Sequence, residues 1–158
     1  MARLQREPFD PAAETAAIVD AAGDAAGDGA GAIVSFVGLV RGGATRALVL
    51  ERHPTATLAA MDGFEAAART RWRLAATRVV HRFGELAPGE PIVFVAAAAA
   101  HRRAAFEAAD MLMDALKTRA PFWKREIGAD GADRWIEPTA ADYADARRWS
   151  ADLTGDVS

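Results

Sequence analysis

Four cations surround a proline and two aromatic residues in segment 116–126, whose sequence is LKTRAPFWKRE. Pro121 ends the preceding helix, because its ring clashes with the helical carbonyls and biases Ala120 toward an extended backbone. Lys117 then lies on the last helical turn, and Lys124 lies on a strand that follows. The pattern predicts that the two ammonium groups converge on one pocket, which binds an anion.

Lysines in such a pocket could also do chemistry. A lysine acts as a proton donor, a proton acceptor or a covalent nucleophile when burial and neighbouring cations lower its pKa. Lys117, near Arg119 and Lys124, meets this condition, and Glu126 could balance the charge or orient a lysine. The alternative is a pair of exposed lysines flanking a helix end, where the helix dipole favours cations in any protein.

A second cationic group, His101-Arg102-Arg103, opens a long predicted helix. Ser, Thr, Asp and Asn are all missing from the expected cap position, so the first backbone N–H groups lack an obvious side-chain acceptor. A bound phosphate would satisfy them, and the helix dipole would add to the charge of Arg102. A solvated helix start capped by water is the alternative.

Arg41 is a third candidate, because it follows a predicted buried strand and precedes two glycines. Glycines let a backbone approach a ligand closely, but they also make ordinary tight turns. The local sequence does not separate these two interpretations.

Composition narrows the classes of function. The net charge of -3 and the pI near 5.6 argue against general binding of nucleic acid. No run reaches the ~18 apolar residues of a membrane span, and the first residues lack the apolar core of a signal peptide, so we expect a cytoplasmic protein without membrane contact. Cysteine is absent, which excludes thiolate chemistry on this chain, and the three histidines show no metal spacing. We therefore expect no metal site and no cofactor.

The predicted elements favour an α+β fold, in which a mixed or antiparallel sheet packs with helices and a β-hairpin follows near the C-terminus. The length of 158 residues suits one domain over 1–158, with about 1–8 and 150–158 flexible. Strands 32–40 and 46–52 are expected to pair antiparallel, because their connection is short. The long helix is expected to bury Phe106, Ala109, Met113 and Leu116. The other predicted helices are at 12–22, from Pro54 to Trp72 and at 102–120, with a connector at 23–31. Strands are predicted at 77–83 and 91–98, a turn at 84–90 and a hairpin of 122–127 with 134–137. Residues 139–149 form either a terminal helix or a partner-binding segment.

Four motifs in order resemble the large, catalytic subunit of molybdopterin synthase, and the match spans most of the chain. The most specific is Leu116-Lys117 leading to Ala120-Pro121-Phe122-Trp123-Lys124-Arg125-Glu126. The others are Gly31-Ala32-Ile33-Val34-Ser35-Phe36-Val37-Gly38 followed by Val40-Arg41, then His81-Arg82-Phe83-Gly84-Glu85-Leu86, and Ala100-His101-Arg102 with Phe106-Glu107-Ala108.

The resemblance implies an α/β-hammerhead-like fold and a sulfur transfer that converts cyclic pyranopterin monophosphate to molybdopterin. It implies that the sulfur arrives as a thiocarboxylate on the C-terminal Gly-Gly tail of a small ubiquitin-like partner subunit, which fits the lack of cysteine here. Two such partners are expected at opposite ends of a homodimer of large subunits, forming a heterotetramer. The pocket lies close to the dimer interface in the family, so its groups need not all come from one chain.

Carried over residue by residue, the resemblance makes Lys117 the catalytic lysine and Lys124 its neighbour, which holds the tail carboxyl group or the pterin. It implies that Arg41, His101 and Arg102 contact substrate. Leu39, Val40, Arg125 and Glu126 adjoin these positions and are included as candidate substrate contacts, Leu39 with the least support. Two other functions remain open: a non-catalytic module that binds a phosphopterin or nucleotide, and a structural subunit that only docks a ubiquitin-like tail.

Overall fold

Two four-stranded sheets organise the computed structural model, which describes residues 1–23 and 29–150. Within these ranges the chain forms eight strands, four α-helices and a short 3-10 helix. In chain order they are β1 (Arg3–Gln5), α1 (Pro11–Gly23), β2 (Ala32–Leu39), β3 (Thr45–Arg52), α2 (Ala56–Trp72), β4 (Ala76–Arg82), β5 (Gly84–Leu86), β6 (Pro91–Ala99), α3 (Arg102–Thr118), β7 (Phe122–Gly128), β8 (Asp133–Ile136), α4 (Ala140–Ala146) and the 3-10 helix (Arg147–Trp149).

The first sheet, sheet A, has the strand order β1-β4-β6-β2 and supports helices on both faces. Only β1 runs parallel to its neighbour, so the sheet is mixed, as predicted. Its central strand β6 alternates in the way a strand buried on both faces must. Val95 and Ala97 pack in the core shared with α2 and α3, whereas Phe94, Ala96 and Ala98 pack in the core shared with α1.

The second sheet, sheet B, has the order β5-β3-β7-β8 and is antiparallel throughout. Its small core consists of Val40, Leu48, Leu50 and Leu86. The predicted hairpin is confirmed as β7 and β8, and every residue of β8 is exposed on its outer edge. Sheet B therefore presents much of its surface to solvent, in contrast to sheet A.

The prediction that β2 pairs with β3 is wrong, because the two strands belong to different sheets. Val40 donates its N–H to the Glu90 carbonyl and accepts from the Gly89 N–H, at 2.9 Å each, so the chain is tied to the loop before β6. Gly43, at φ +86°, then turns it into sheet B. The predicted turn at 84–90 likewise contains β5, which pairs with β3.

Helix α3 buries a different face from the one predicted. Ala109 and Leu116 are buried as expected, but Met113 is only partly buried and Phe106 is 62% exposed. The fully buried residues of α3 are three alanines and two larger side chains: Ala105, Ala108, Met111, Leu112 and Ala115. The first two alanines lie toward the alanine-rich end of β6, where a phenylalanine would not fit in their place.

The ends of the described chain are held by specific contacts. Residues 3–5, expected to be flexible, form β1 along β4, and buried Glu14 of α1 accepts from Arg3 and Arg78 across these strands. The predicted helix after residue 139 is confirmed as α4 and the 3-10 helix. Residues 151–158 and most of the predicted connector lie outside the described residues.

Candidate functional site

The corner at Pro121 places the two lysines on adjacent elements. Lys117 lies in the last turn of α3, and Lys124 lies on β7. The Pro121 carbonyl accepts from the His53 N–H at 3.2 Å and from the Thr57 hydroxyl at 2.8 Å, which anchors the corner to the end of β3 and the start of α2. Both secondary-structure assignments made from the sequence are confirmed.

Lys124 is the more buried of the two lysines, and its pKa is lowered. Burial is the largest cause, because it disfavours the charged amine, and the positive charges of Lys117 and Arg41 add to the effect. The carboxylate of Asp142 opposes it. Lys117, Arg41 and Asp142 therefore lie close enough to Lys124 for their charges to act on its amine, and the lowered amine pKa that suits proton transfer is that of Lys124.

Lys117 is half exposed and donates to the Asp142 carboxylate, with Nζ and Oδ1 2.5 Å apart. The pKa of Asp142 falls to about 2, first because of this bond and then because its other oxygen accepts from the Thr139 N–H at 2.7 Å. Thr139 and Asp142 form the capping box of α4. A carboxylate thus already occupies the position at which Lys117 can bind an anion.

Aromatic and charged contacts hold α4 over α3. Trp149 is buried, donates from Nε1 to the Asp114 carboxylate at 2.7 Å and meets Trp72 edge to face at 5.8 Å. Arg148 lies 3.1 Å from carboxylate oxygens of both Asp110 and Asp114. Asp142 therefore lies on a segment, α4 and the 3-10 helix, that is packed against α3.

Asp142 was missed from the sequence. Thr139 followed three residues later by an acid is a capping pattern that predicts the helix start. Nothing local, however, indicates that this acid reaches back to Lys117.

Arg41 reaches the lysines because of the sheet topology. Helix α3 runs back along β6 from Ala99 toward Pro91, and β2 ends beside Pro91. The end of β2 and the last turn of α3 therefore meet at one edge of sheet A. Leu39 is 54% exposed there. Val40 has its side chain in the core and both backbone groups hydrogen-bonded, so it can position Arg41 but has no free polar group for a ligand.

Strand alternation separates the other candidates on β7. Glu126 shares the face of Lys124 and accepts from the Thr45 hydroxyl, so it is engaged within sheet B. Arg125 points to the opposite face, pairs with Asp133 and stacks over Trp135 at 5.8 Å. It does not join the lysines, because successive side chains of a strand point to opposite sides.

His101 and Arg102 lie at the other end of α3 from Lys117. Fifteen residue steps along the helix place Arg102 about 22 Å from Lys117 along the axis. His101 occupies the N-cap position without a side-chain cap, so the uncapped start is confirmed. A groove of about 1340 Å³ between β2 and α3 connects the two ends, and its lining includes His101, Arg102, Lys117 and Asp142. Within one chain, His101 and Arg102 therefore share a long groove with Lys117, and the three residues do not form a compact pocket.

His81 is a second residue that the sequence did not assign to the site. It is 8% exposed, stacks on Phe122 with ring centroids 4.1 Å apart, and has Nδ1 2.8 Å from the Arg82 carbonyl. Burial lowers the pKa of His81 to about 4, and the positive charge of Lys124 acts in the same direction. The ring is therefore neutral at physiological pH.

One signal in the sequence would have singled out the two lysines without any motif. Lys117 and Lys124 are the only lysines in the chain, and every other member of its 19 Lys and Arg residues is arginine. Arginine keeps its proton in proteins and lysine can lose it. A chain that uses arginine everywhere else therefore retains lysine where a dissociable amine would matter.

Other kinds of site find no support in the described part of the chain. Among residues 1–23 and 29–150 no three His, Asp or Glu side chains gather in a way that suits a metal ion. No helix in these ranges has both the length and the apolar character needed to cross a bilayer.

Comparison with known proteins identifies the family to which the chain belongs. The family model described as MoaE protein matches residues 4–119. A molybdopterin synthase catalytic subunit from Caulobacter vibrioides is 51% identical over 148 residues, which cover 92% of this chain and 95% of that protein. The solved molybdopterin biosynthesis MoaE protein from Burkholderia ambifaria has a TM-score of 0.78 and 39% identity, covering 94% of this chain and 97% of that one.

A more distant structure shows the fold alone. It is a complex of subunits 1 and 2 of molybdopterin-converting factor from Helicobacter pylori, with a TM-score of 0.69 and 17% identity, covering 88% of this chain and 90% of that one. The family match and the identity over nearly the whole length are sufficient for assignment. The chain belongs to the MoaE protein family.

Proposed function

We propose that this chain is the catalytic subunit of a molybdopterin synthase, and that it transfers sulfur to cyclic pyranopterin monophosphate in the biosynthesis of the molybdenum cofactor. The sulfur donor is the C-terminal thiocarboxylate of a small ubiquitin-like partner subunit. The observation that carries the proposal is the cluster of Arg41, Lys117 and Lys124, in which the most buried amine has a lowered pKa. Family membership supports the reaction class.

Lys124 suits proton transfer. Because its pKa is lowered by burial and by two neighbouring cations, a larger fraction of its amine is neutral near pH 7 than for an exposed lysine. A neutral amine can take a proton from the reacting pterin and return it later. This assigns to Lys124 a larger part of the chemistry than the family resemblance alone implied.

Lys117 suits binding of the partner's tail. It already holds the Asp142 carboxylate at 2.5 Å, and a terminal thiocarboxylate has the same planar shape and charge. The half-exposed Lys117 and the exposed Arg41 are both accessible to a chain end that enters from solvent. A bound cation also disperses negative charge that develops when the thiocarboxylate reacts. The sulfur remains on the partner until it is transferred, so this chain needs no cysteine.

His101 and Arg102 suit a phosphate, because an uncapped helix start offers free N–H groups beside an arginine. Their distance from Lys117 supports a homodimer in which one chain supplies the lysines and the other the phosphate group's ligands. Strand β2, at the edge of sheet A, exposes Phe36 and Leu39 and can receive a second copy. With a partner on each chain, the assembly is a heterotetramer.

The test is reconstitution with purified chain, cyclic pyranopterin monophosphate and thiocarboxylated partner. We expect molybdopterin to form with the wild-type chain and not with Lys117→Ala, which should still fold and bind the partner. Arg46→Ala is the control, since it removes an exposed cation at the start of β3, away from Leu50, which pairs with Lys124. If the precursor binds without conversion, the chain is a phosphopterin-binding module; normal turnover by Lys117→Ala removes its catalytic assignment.

Sharing of sites between chains has a separate test. At precursor concentrations well below KM, chains carrying Lys117→Ala should be inactive and chains carrying Arg102→Ala should work at about a tenth of the wild-type rate. An equimolar mixture of the two chains should reach about a quarter of wild-type activity, because half of the randomly assembled dimers are hybrids and each hybrid has one of its two sites intact. An absence of recovery in dimers shown to be mixed contradicts the shared site.

A further inference from the structure

The segment His81-Arg82-Phe83-Gly84-Glu85-Leu86 has no role in the function proposed above, although it marks the point where the chain leaves sheet A for sheet B. Strand β4 ends at Arg82 and β5 begins at Gly84. Gly84 has φ +97°, and a Cβ there would lie 3.2 Å from Arg6 Nη1. The change of sheet therefore depends on a glycine in a left-handed conformation that also faces a crowding side chain.

Contacts on both sides fix this crossing. The guanidinium groups of Arg6 and Arg52 lie 4.8 and 4.3 Å from the centroid of the Phe83 ring. Arg82 is 4% exposed and donates to the Arg6 carbonyl at 3.1 Å and to the Pro91 carbonyl at 3.2 Å. The end of β4 is thus held firmly, and His81 with it.

His81 points to the face of sheet A that packs on α2 and α3. It alternates with Arg82 and shares the side of Val79, which belongs to that core. Phe122, on which the His81 ring stacks, packs against the same core although its strand β7 belongs to sheet B. The stack is therefore a direct contact between the two sheets.

Lys124 lies next to this contact. Phe122 and Lys124 project from the same face of β7, about 7 Å apart along the strand. The positive charge of Lys124 contributes to the lowered pKa of His81, which agrees with that spacing. The other charged groups around the amine are Lys117 from α3, Arg41 after β2 and Asp142 from α4.

We propose that His81 is a positioning residue for Lys124. Its ring stacks on Phe122, hydrogen-bonds to the Arg82 carbonyl and shields one side of the Lys124 amine from water without adding charge. The inference deepens the proposed function and rests on it for its activity measurement only. A flat, neutral ring is what this role requires. A second anion would raise the pKa of Lys124, and a small residue would admit water beside it.

The experiment compares His81→Ala with His81→Phe in the full chain, which is labelled and titrated without its partner; the partner is added only for turnover. The alanine removes the ring, whereas the phenylalanine keeps a flat ring and removes both nitrogens. Because Lys117 and Lys124 are the only lysines, reductive methylation with ¹³C-formaldehyde labels these two amines and the chain terminus. NMR titration then reads the pKa of Lys124, with Lys124→Arg identifying its resonance.

We expect the pKa of Lys124 to rise toward the ordinary lysine value in His81→Ala and to stay low in His81→Phe. Phe122→Leu should raise it as well, and the double variant His81→Ala/Phe122→Leu should raise it no further, because the two rings act as one unit. An unchanged pKa in folded His81→Ala overturns the proposal. Equal rises in the alanine and phenylalanine variants overturn it too, since the nitrogens and not the ring would then matter.

Turnover supplies the second measurement. We expect kcat to fall about tenfold in His81→Ala and to stay within about twofold of wild type in His81→Phe, a split that a general loss of stability would not produce. If the wild-type chain makes no product, the proposed function fails, yet the titration still decides whether His81 controls the amine of Lys124.

Discussion

The two ends of α3 carry cations of different kinds in different surroundings. At its start, Arg102 and Arg103 are exposed beside His101, and the helix N–H groups there lack a side-chain acceptor. At its end, Lys117 is paired with an acid, and the partly buried Lys124 has a lowered pKa. The first end displays permanent charge, which suits holding an anion; the second contains an amine that can change its protonation, which suits chemistry.

Among variants that keep the Lys117 amine, the largest effect should come from Lys124→Arg, which keeps the charge at the second end and prevents its loss. We expect kcat to fall about a thousandfold while partner affinity changes little, as for removal of a general acid or base. Steady-state product formation and partner binding are the measurements. A near wild-type kcat in Lys124→Arg would show that position 124 needs only a positive charge, and that turnover does not require it to lose a proton.

His81→Phe should change how stability depends on pH. Because burial lowers the pKa of His81 from 6.5 to about 4 in the folded chain, the unfolded chain takes up this proton first, and stability falls as pH drops from 6.5 toward 4. His81→Phe has no imidazole to protonate. Its free energy of unfolding should therefore fall by about 2.5 kcal/mol less than that of wild type between pH 7.5 and 4.5. Urea denaturation at the two pH values measures it; equal losses would show that His81 is not held neutral.

Arg102→Ala should test the first end of α3. The exposed guanidinium is expected to bind phosphate in ground state and transition state alike, so KM for the precursor should rise about tenfold with kcat nearly unchanged. Arg102→Lys should restore part of the affinity, because a point charge replaces a bidentate donor. A fall in kcat without a change in KM would make this end catalytic and remove the contrast.

Asp142→Asn should have the smallest effect. The Asp142 carboxylate raises the pKa of Lys124, so its removal should lower that pKa further and move the acidic limb of the pH–rate profile to lower pH. The exposed Lys117 partner limits any change in stability to less than about 1 kcal/mol. A shift of the profile in the opposite direction would contradict this account of the charges around Lys124.

Most elements could be predicted from the sequence because the signals are local. Pro121 ends a helix, Asp10 and Pro11 start one, and β-branched runs form strands, all through the backbone preferences of neighbouring residues. The placement of Lys117 and Lys124 on consecutive elements followed from the same rules. Sheet membership did not, because a five-residue connection such as 40–44 allows either a hairpin or a change of sheet.

The parts of the site that escaped prediction depend on long-range contacts. Asp142 reaches Lys117 across 25 positions of the chain, and His81 reaches Phe122 across two sheets. Periodicity also misplaced Phe106, because it predicts burial from hydrophobicity, whereas the buried positions near the start of α3 are the small residues Ala105 and Ala108. Only the tertiary structure contains this information.

The alanine-rich end of β6 gives α3 an uneven support. Val95 lies beneath the helix on the side toward Lys117, whereas Ala97 and Ala99 lie toward His101, so the bulk under the helix increases along its length. A rigid helix packed on side chains of unequal size tilts when the size of one of them changes. Added volume at Ala97 should therefore rotate α3 about its middle and move its two charged ends in opposite directions, so a buried methyl group far from any ligand can detune the spacing between them.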